Sequence, residues 1–384
     1  MPFLPQMPKG LAATLFLTGT IALVIGCGGG GSAGGGTLTG TNTGTNTNTT
    51  TNGSTNGTNT TTNTTTNGGT TGSTTGTIPN NKIFYSLGTG TGTEVYHIDP
   101  NGQNDTLYGT LPDGYSGFGA NPQVVEFVFG HDDPGTQAVK YGLFVNGTVN
   151  VAGASQLTAR TFDAIGTIQF TPDGQTILFT ASIVQNPGTI NEEEVWSLYR
   201  ITRNGGLQNP TKLDDGEDLD ISPDGTRVVY TKLTGTFGEI YTRNVDGTGT
   251  ATRLTNNTFE DWMPQYSKDG QRIVFSSDRN GTNFDIYTMT TAGGGVVNVT
   301  NTGSADEYGP SYSADSTQIS FVVLALDPSQ TGLFRINANG ASRTALKLAP
   351  NINLQTWWSP GTGNGPQRLF GRLSMDDGKR RRRS

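Results

Sequence analysis

One five-residue pattern recurs along this chain and constrains its architecture more tightly than any other feature. The copies are Phe170-Thr171-Pro172-Asp173-Gly174, Ile221-Ser222-Pro223-Asp224-Gly225, Tyr266-Ser267-Lys268-Asp269-Gly270 and Tyr312-Ser313-Ala314-Asp315-Ser316. Their aspartates stand 51, 45 and 46 residues apart. Each Asp-Gly is a two-residue hairpin signal, because glycine supplies positive φ at no steric cost. A fifth copy, Trp358-Ser359-Pro360-Gly361, follows at the same spacing. A repeat of this length cannot bury its apolar faces alone, so copies must stack on one another.

The residues after each turn repeat too. Thr176-Ile177-Leu178-Phe179-Thr180, Arg227-Val228-Val229-Tyr230-Thr231, Arg272-Ile273-Val274-Phe275-Ser276 and Gln318-Ile319-Ser320-Phe321-Val322 read as short β-branched and aromatic strands. A further strand follows in each copy, as in Glu239-Ile240-Tyr241-Thr242 and Asp285-Ile286-Tyr287-Thr288, and then a shorter one, as in Thr252–Thr255 and Val297–Thr300. Four strands per unit make a propeller blade. Weak copies extend the count. Lys82–Ser86 and Glu94–Ile98 match the second and third strands, with Asn81 in the place of Gly174. Glu126–Phe129 and Tyr141–Phe144 fill the blade between. The expectation is an all-β, six-bladed β-propeller over residues 78–365. Its first blade lacks an inner strand and its last copy, Trp357-Trp358-Ser359-Pro360, has only an inner strand. The C-terminal strand therefore closes the ring on the N-terminal blade and removes the exposed edge of a linear array.

The run from Tyr266 through Ser276-Ser277-Asp278-Arg279-Asn280-Gly281 to Asp285-Ile286-Tyr287 resembles the WD40-like propeller repeat of the TolB family. The resemblance is strong over residues 165–315, fair to 360 and weak from 80 to 165. It implies the fold. It leaves function open, because such propellers serve as partner scaffolds, as gating domains of peptidases and occasionally as lyases.

The enzyme branches can be weighed against the residues. A hydrolase domain would carry a Gly-x-Ser-x-Gly elbow, and the nearest stretch, Gly114-Tyr115-Ser116-Gly117-Phe118, fails at the fifth position. No second domain is expected after residue 365. Lyases of this fold hold a metal with several histidines, whereas this chain has His97, on an expected third strand, and His131, in an expected loop. Both read as surface or packing residues. The expectation is a protein without catalytic residues, cofactor or metal.

The chain's average composition, 32% hydrophobic with 56 glycines among 384 residues, suggests partial disorder. The average conceals distinct segments. Residues 1–27 read as a lipoprotein signal peptide: Lys9, an apolar core from Leu11 to Ile25, then Val24-Ile25-Gly26-Cys27, which looks like a bacterial lipobox. Cys27 is the only cysteine, so disulfides and cysteine-rich zinc sites are excluded. Its thiol is the expected lipidation site, and acyl chains contribute about 0.8 kcal/mol per buried methylene. Gly28 after it favours release to the outer membrane. Residues 28–77, nearly all Gly, Thr, Asn and Ser, read as a disordered tether with a contour length of about 170 Å. Residues 366–384 read as a basic disordered tail ending in Lys379-Arg380-Arg381-Arg382-Arg383, solvated or touching anionic lipid or wall polymer. Sixteen Lys and Arg against twenty-nine Asp and Glu give residues 78–365 a charge of −13, beside +5 on the tail. That acidity argues against nucleic acid as a partner.

Acidic residues precede several inner strands: Asp163, Asp215 with Glu217 and Asp218, Asp261 after Glu260, and Asp306 with Glu307. Two readings are open. They form an acidic ring at one mouth of the central channel that binds a cation or a basic partner segment, or they cap turns and bond backbone amides between blades. Trp262 joins this candidate site, and Trp262, Trp357 and Trp358 read either as a recognition surface or as packing between blades. Asp278-Arg279 reads as a salt bridge within a hairpin. Taken together, the sequence points to a lipid-anchored scaffold of the bacterial cell envelope, periplasmic or surface-exposed, that binds other envelope proteins. The alternative is a carbohydrate-binding or carbohydrate-cleaving surface propeller with a glycan as partner.

Overall fold

The computed structural model describes residues 80–359, apart from 90–91, 113–114, 121, 123–126, 133–140, 147–153, 190–191, 282 and 304, together with the main chain of 368–369. The expected signal peptide, the tether and the tail beyond 369 lie outside the described residues. Blade 1 holds β1 (Ile83–Thr89), β2 (Gly92–Ile98) and β3 (Thr106–Pro112). Blade 2 holds β4 (Tyr115–Ala120), β5 (Phe127–Asp132), β6 (Tyr141–Asn146) and β7 (Ser155–Gln156). Blade 3 holds β8 (Ala164–Phe170), β9 (Thr176–Gln185), β10 (Glu193–Thr202) and β11 (Thr211–Asp215). Blade 4 holds β12 (Glu217–Ile221), β13 (Arg227–Thr234), β14 (Phe237–Asn244) and β15 (Thr252–Arg253). Blade 5 holds β16 (Asp261–Tyr266), β17 (Arg272–Ser277), β18 (Asp285–Thr290) and β19 (Val297–Asn298). Blade 6 holds β20 (Ala305–Tyr312), β21 (Gln318–Ala325), β22 (Gly332–Asn337) and β23 (Thr344–Leu348). Two short strands follow, β24 (Trp357–Trp358) and β25 (Arg368–Leu369). The architecture is an all-β, six-bladed propeller.

The ring closes as the repeat phase requires. β24 pairs antiparallel with β1, Ile83 facing Trp358 and Phe84 facing Trp357, and completes the first blade. Lys82 and Ser359 extend the joint: the Lys82 amide donates to Ser359 Oγ at 2.7 Å and the Ser359 amide to the Lys82 carbonyl at 2.7 Å. Trp357 and Trp358 are each 1% exposed, so both belong to the packing between blades. β25 departs from the sequence expectation, because it lies in the segment read as an unstructured tail. It pairs with both β4 and β8 and joins blades 2 and 3 into one nine-stranded sheet.

Each blade carries one aromatic pair across its two middle strands. The partners are Tyr85 and Tyr96, Phe129 and Phe144, Phe179 and Tyr199, Tyr230 and Tyr241, Phe275 and Tyr287, and Phe321 and Phe334. Their ring centroids lie between 5.4 Å, in blade 1, and 6.3 Å, in blade 2. Cross-strand aromatic pairs contribute on the order of 0.5–1.5 kcal/mol each beyond their buried area. The second blade, which lacks the Asp-Gly turn, keeps this pair. His131 lies on β5 rather than in a loop, edge-on to Phe144 at 6.0 Å.

The recurring turn is larger than a two-residue hairpin. The Ser222 amide donates to the Arg227 carbonyl, and the Arg227 amide donates back to Ser222 Oγ. Asp224 Oδ1 sits inside this loop and accepts from Ser222 Oγ at 2.6 Å and from the Thr226 amide at 3.0 Å. Thr171 with Asp173, Ser267 with Asp269 and Ser313 with Asp315 repeat the short hydroxyl–carboxylate bond. The hydroxyl first, and then the loop amide, holds the carboxyls of Asp173, Asp224 and Asp315 below the usual carboxylate range. The positive φ falls on Gly225 at 74°, and a Cβ there would stand 2.8 Å from Pro172 Cδ of the preceding blade. Gly225→Ala is expected to lose about 1–2 kcal/mol from the left-handed backbone alone, and more from that contact. Gly188→Ala, at φ 75° with open space around it, should lose only the backbone part. Urea denaturation of both variants compares the two.

Candidate functional site

The channel is bounded by the inner strands, and the bonds between neighbouring inner strands define what its wall can do. One position in the repeat bonds an inner strand to the next at three of the joints. Gln169 Oε1 on β8 accepts the Ile221 amide on β12 at 2.8 Å. Asp220 Oδ2 on β12 accepts the Tyr266 amide on β16 at 2.8 Å. Ser311 Oγ on β20 accepts the Trp358 amide on β24 at 3.1 Å. Gln169 Nε2 also donates to Asp220 Oδ1. The chain alternates so that these polar groups face the neighbouring blade, and a buried amide left without such an acceptor would cost about 1–3 kcal/mol.

At the end where the inner strands begin, the acidic residues follow a two-part rule. In the doublets Glu260-Asp261 and Asp306-Glu307 the first acid reaches back to the preceding blade. Glu260 Oε2 accepts the Gly238 amide of β14 at 2.7 Å, and Asp306 Oδ1 accepts the Phe284 amide just before β18 at 3.0 Å. The second acid is buried and paired. Asp261 is 0% exposed, bonded to Arg279 at 2.6 Å and to Asn257 Nδ2 at 2.7 Å. Glu307 is also 0% exposed, bonded to Arg343 at 2.9 Å and to the Thr302 hydroxyl at 3.2 Å. Both arginines lie over the aromatic pair of their blade: Arg279 over Phe275 and Tyr287 at 5.1 and 5.0 Å, Arg343 over Phe321 and Phe334 at 5.7 and 4.6 Å. A guanidinium held between a carboxylate and an aromatic face satisfies both with one charge.

The remaining candidates take other roles. Asp163 Oδ2 accepts the Val184 amide at 2.9 Å. Asp215 is a half-exposed partner of Lys212 at 2.6 Å and accepts from Ser197 Oγ. Trp262 is 3% exposed and donates from its indole to Glu260 Oε2 at 2.7 Å, so it is part of a blade joint and not a surface platform. Asp278 and Arg279 do not pair with each other. Asp278 Oδ1 accepts the Glu260 amide, and Arg279 turns to Asp261. His97 packs in the first blade against Phe84, its ring held below the usual histidine range by burial and then by Lys82. Asp218, at φ 55° in the bulge of β12, is 8% exposed and its Oδ2 has no hydrogen-bond partner among the described residues. Among those residues no group of three or more His, Cys, Asp or Glu is arranged to hold a metal ion.

Residues 220–361 match the TolB β-propeller domain. Over those residues the ring is similar to a TolB propeller. Among solved structures, TolB from Acinetobacter baumannii is similar at 18% identity and a TM-score of 0.55, over 73% of this chain and 67% of that one. A protein assigned as TolB from Agrobacterium tumefaciens is similar at 16% identity and a TM-score of 0.52, over 77% of this chain and 99% of that one. A puromycin hydrolase is similar at 12% identity and a TM-score of 0.51, over 71% of this chain but 46% of that one. At these identities the likeness is one of fold. No curated protein matches the chain.

Burial, and then the neighbouring Asp285, pushes the Asp306 carboxyl above the usual carboxylate range. A raised value in the folded state means that the ionised carboxylate opposes folding above that value, and that the penalty fades as pH falls through it. Asp306→Asn keeps a carbonyl acceptor for the Phe284 amide. Its thermal midpoint is expected to exceed that of the unsubstituted protein at pH 7, with the two converging as the solution is acidified. Arg279→Ala removes the partner of a fully buried carboxylate and is expected to destabilise by about 3–5 kcal/mol in chemical denaturation. Unchanged stability would show that the buried Asp261–Arg279 pair does not support the fold.

Proposed function

We propose that this protein is a non-enzymatic, lipid-anchored propeller of the bacterial cell envelope that acts as a protein–protein interaction scaffold. The observation that carries the reading is the match of residues 220–361 to the TolB β-propeller domain, within a six-bladed ring whose acidic candidates are engaged in ion pairs and backbone hydrogen bonds. Carboxylates bound by arginine and backbone amides are poorly placed as general acids or bases, which must exchange protons with a substrate. The sequence of the chain supports the same view, since it holds no Gly-x-Ser-x-Gly elbow. The puromycin hydrolase of similar fold is a longer protein, less than half of which the present chain covers.

Anchoring rests on Val24-Ile25-Gly26-Cys27 and the uncharged segment after it. A lipid on Cys27 would hold the propeller at a membrane, and residues 28–77 would let it reach partners roughly 35–42 Å away as a flexible coil. The carbohydrate reading loses its aromatic platform, because Trp262, Trp357 and Trp358 are buried.

Two measurements test the proposal. Cells fed a labelled fatty acid should incorporate it into the full chain and not into the Cys27→Ala variant, and equal labelling would refute the anchor. Crosslinking in intact cells, followed by affinity capture, should recover envelope proteins with the full chain and not with a variant lacking residues 78–365. Capture of the same proteins by both would refute the scaffold.

A further inference from the structure

The inner strands of blades 2 and 3 are bridged by a piece of chain that belongs to neither blade. Arg368 pairs with Gly119 on β4 and with Gln169 on β8, and Leu369 pairs with Phe118 on β4. All of these pairings are antiparallel, so β4 and β8 run in the same direction and β25 runs against both. The inner edge of a propeller blade carries main-chain donors and acceptors with no fifth strand to bond, and such an edge is a template for an added strand. β25 is such an addition, made by the protein to itself.

Three observations mark the seam as built for this use. First, β4 and β8 approach closely: a Cβ on Gly119 would stand 2.8 Å from the Ile168 carbonyl oxygen. Glycine at that position lets the two main chains converge beside the residue that bonds both. Second, β25 itself is directed toward the end where the inner strands begin, because it is antiparallel to β4 and β8. That is the end that holds Asp163, Asp215, Asp261 and Asp306. Third, the charges are complementary. Residues 366–384 carry +5 and follow a domain of −13. The buried, unpartnered Asp218 Oδ2 stands on β12, the inner strand next to β8.

We propose that the seam between β4 and β8 is an acceptor site for an extended basic peptide, and that the chain's own C-terminal segment around Arg368–Leu369 is its resident occupant. The protein is then self-occluded: a partner peptide that adds to the same edges must first displace the tail. The intramolecular segment competes at the high effective concentration that covalent linkage provides. Partner capture plays no part in this inference, so it stands or falls separately from the envelope-scaffold reading.

The test compares three purified proteins: the full chain, a chain ended after Gly365, and the full chain carrying Leu369→Pro. Proline removes an amide and resists placement in a paired strand. The probe is a fluorescent peptide with the sequence of residues 366–384, followed by anisotropy. The shortened chain and Leu369→Pro are each expected to bind the peptide at least about tenfold more tightly than the full chain. Binding should weaken as salt rises from about 50 to about 500 mM. Hydrogen exchange at the amides of Phe118, Gly119 and Gln169 should be faster in Leu369→Pro than in the full chain. Equal peptide binding by all three proteins, or no binding to the shortened chain with its unfolding transition intact, overturns the proposal. If the shortened chain does not fold, Leu369→Pro decides alone, and unchanged exchange at those amides together with unchanged peptide affinity overturns it.

Discussion

The structure depends on one joint, the pairing of β24 with β1. A blade of this kind has two apolar faces and can bury both only between two neighbours, so a row of blades always leaves two faces and one edge in water. Closing the row into a ring removes those losses together. Here the closure is made with very little chain: two residue pairs in the ladder, the reciprocal bonds of Lys82 and Ser359, and two tryptophans driven into the space between the last blade and the first. The side-chain bonds of Gln169, Asp220 and Ser311 hold inner strand to inner strand elsewhere around the channel. The last of these, to the Trp358 amide, fixes the closing strand itself.

Much of this was legible in the sequence because it is periodic. The Ser/Thr-x-Asp turn marks four blades, three of them with glycine and one with Ser316 in the last place, and the alternation of β-branched and aromatic residues marks the other two, where the turn has decayed. Asn81, which stands where the later blades have glycine, takes a positive φ of 52°. The half-blades at the two ends announced the closure. The roles of the acids were less legible. Asp261 and Glu307 occupy the same place in the repeat, yet their partners come from a hairpin in one blade and from the loop before the outer strand in the other. Only the common destination of both arginines, above the aromatic pair, makes the two arrangements equivalent. β25 lies outside any periodicity, since a two-residue strand in a basic segment carries no pattern of its own.

The buried charges show why the mouth of the ring is a set of fastenings. A carboxylate at 0% exposure loses its hydration, and its folded form survives only if cations and donors replace the water. Asp261 and Glu307 each receive a guanidinium and at least one neutral donor. Burial nonetheless holds the Glu307 carboxyl above the usual range, with the hydroxyl bonds and Arg343 working against it. Glu260, Asp306 and Asp220 bond one blade to the next, whereas Asp261 and Glu307 are paired inside their own blades.

Lys82 and Ser359 are 277 residues apart. The closing contact is therefore one of the most distant in sequence among the described residues, and it cannot form until all six blades have been delivered. Loop entropy adds only logarithmically to the free-energy cost of such a contact, but long-range pairings slow the search for the native state. Until the last copy of the repeat arrives, the first blade lacks its inner strand and exposes Phe84 and Tyr85. Completion of the ring waits on Trp357–Ser359, so a polypeptide stalled or cut before Trp357 would remain an open and aggregation-prone array.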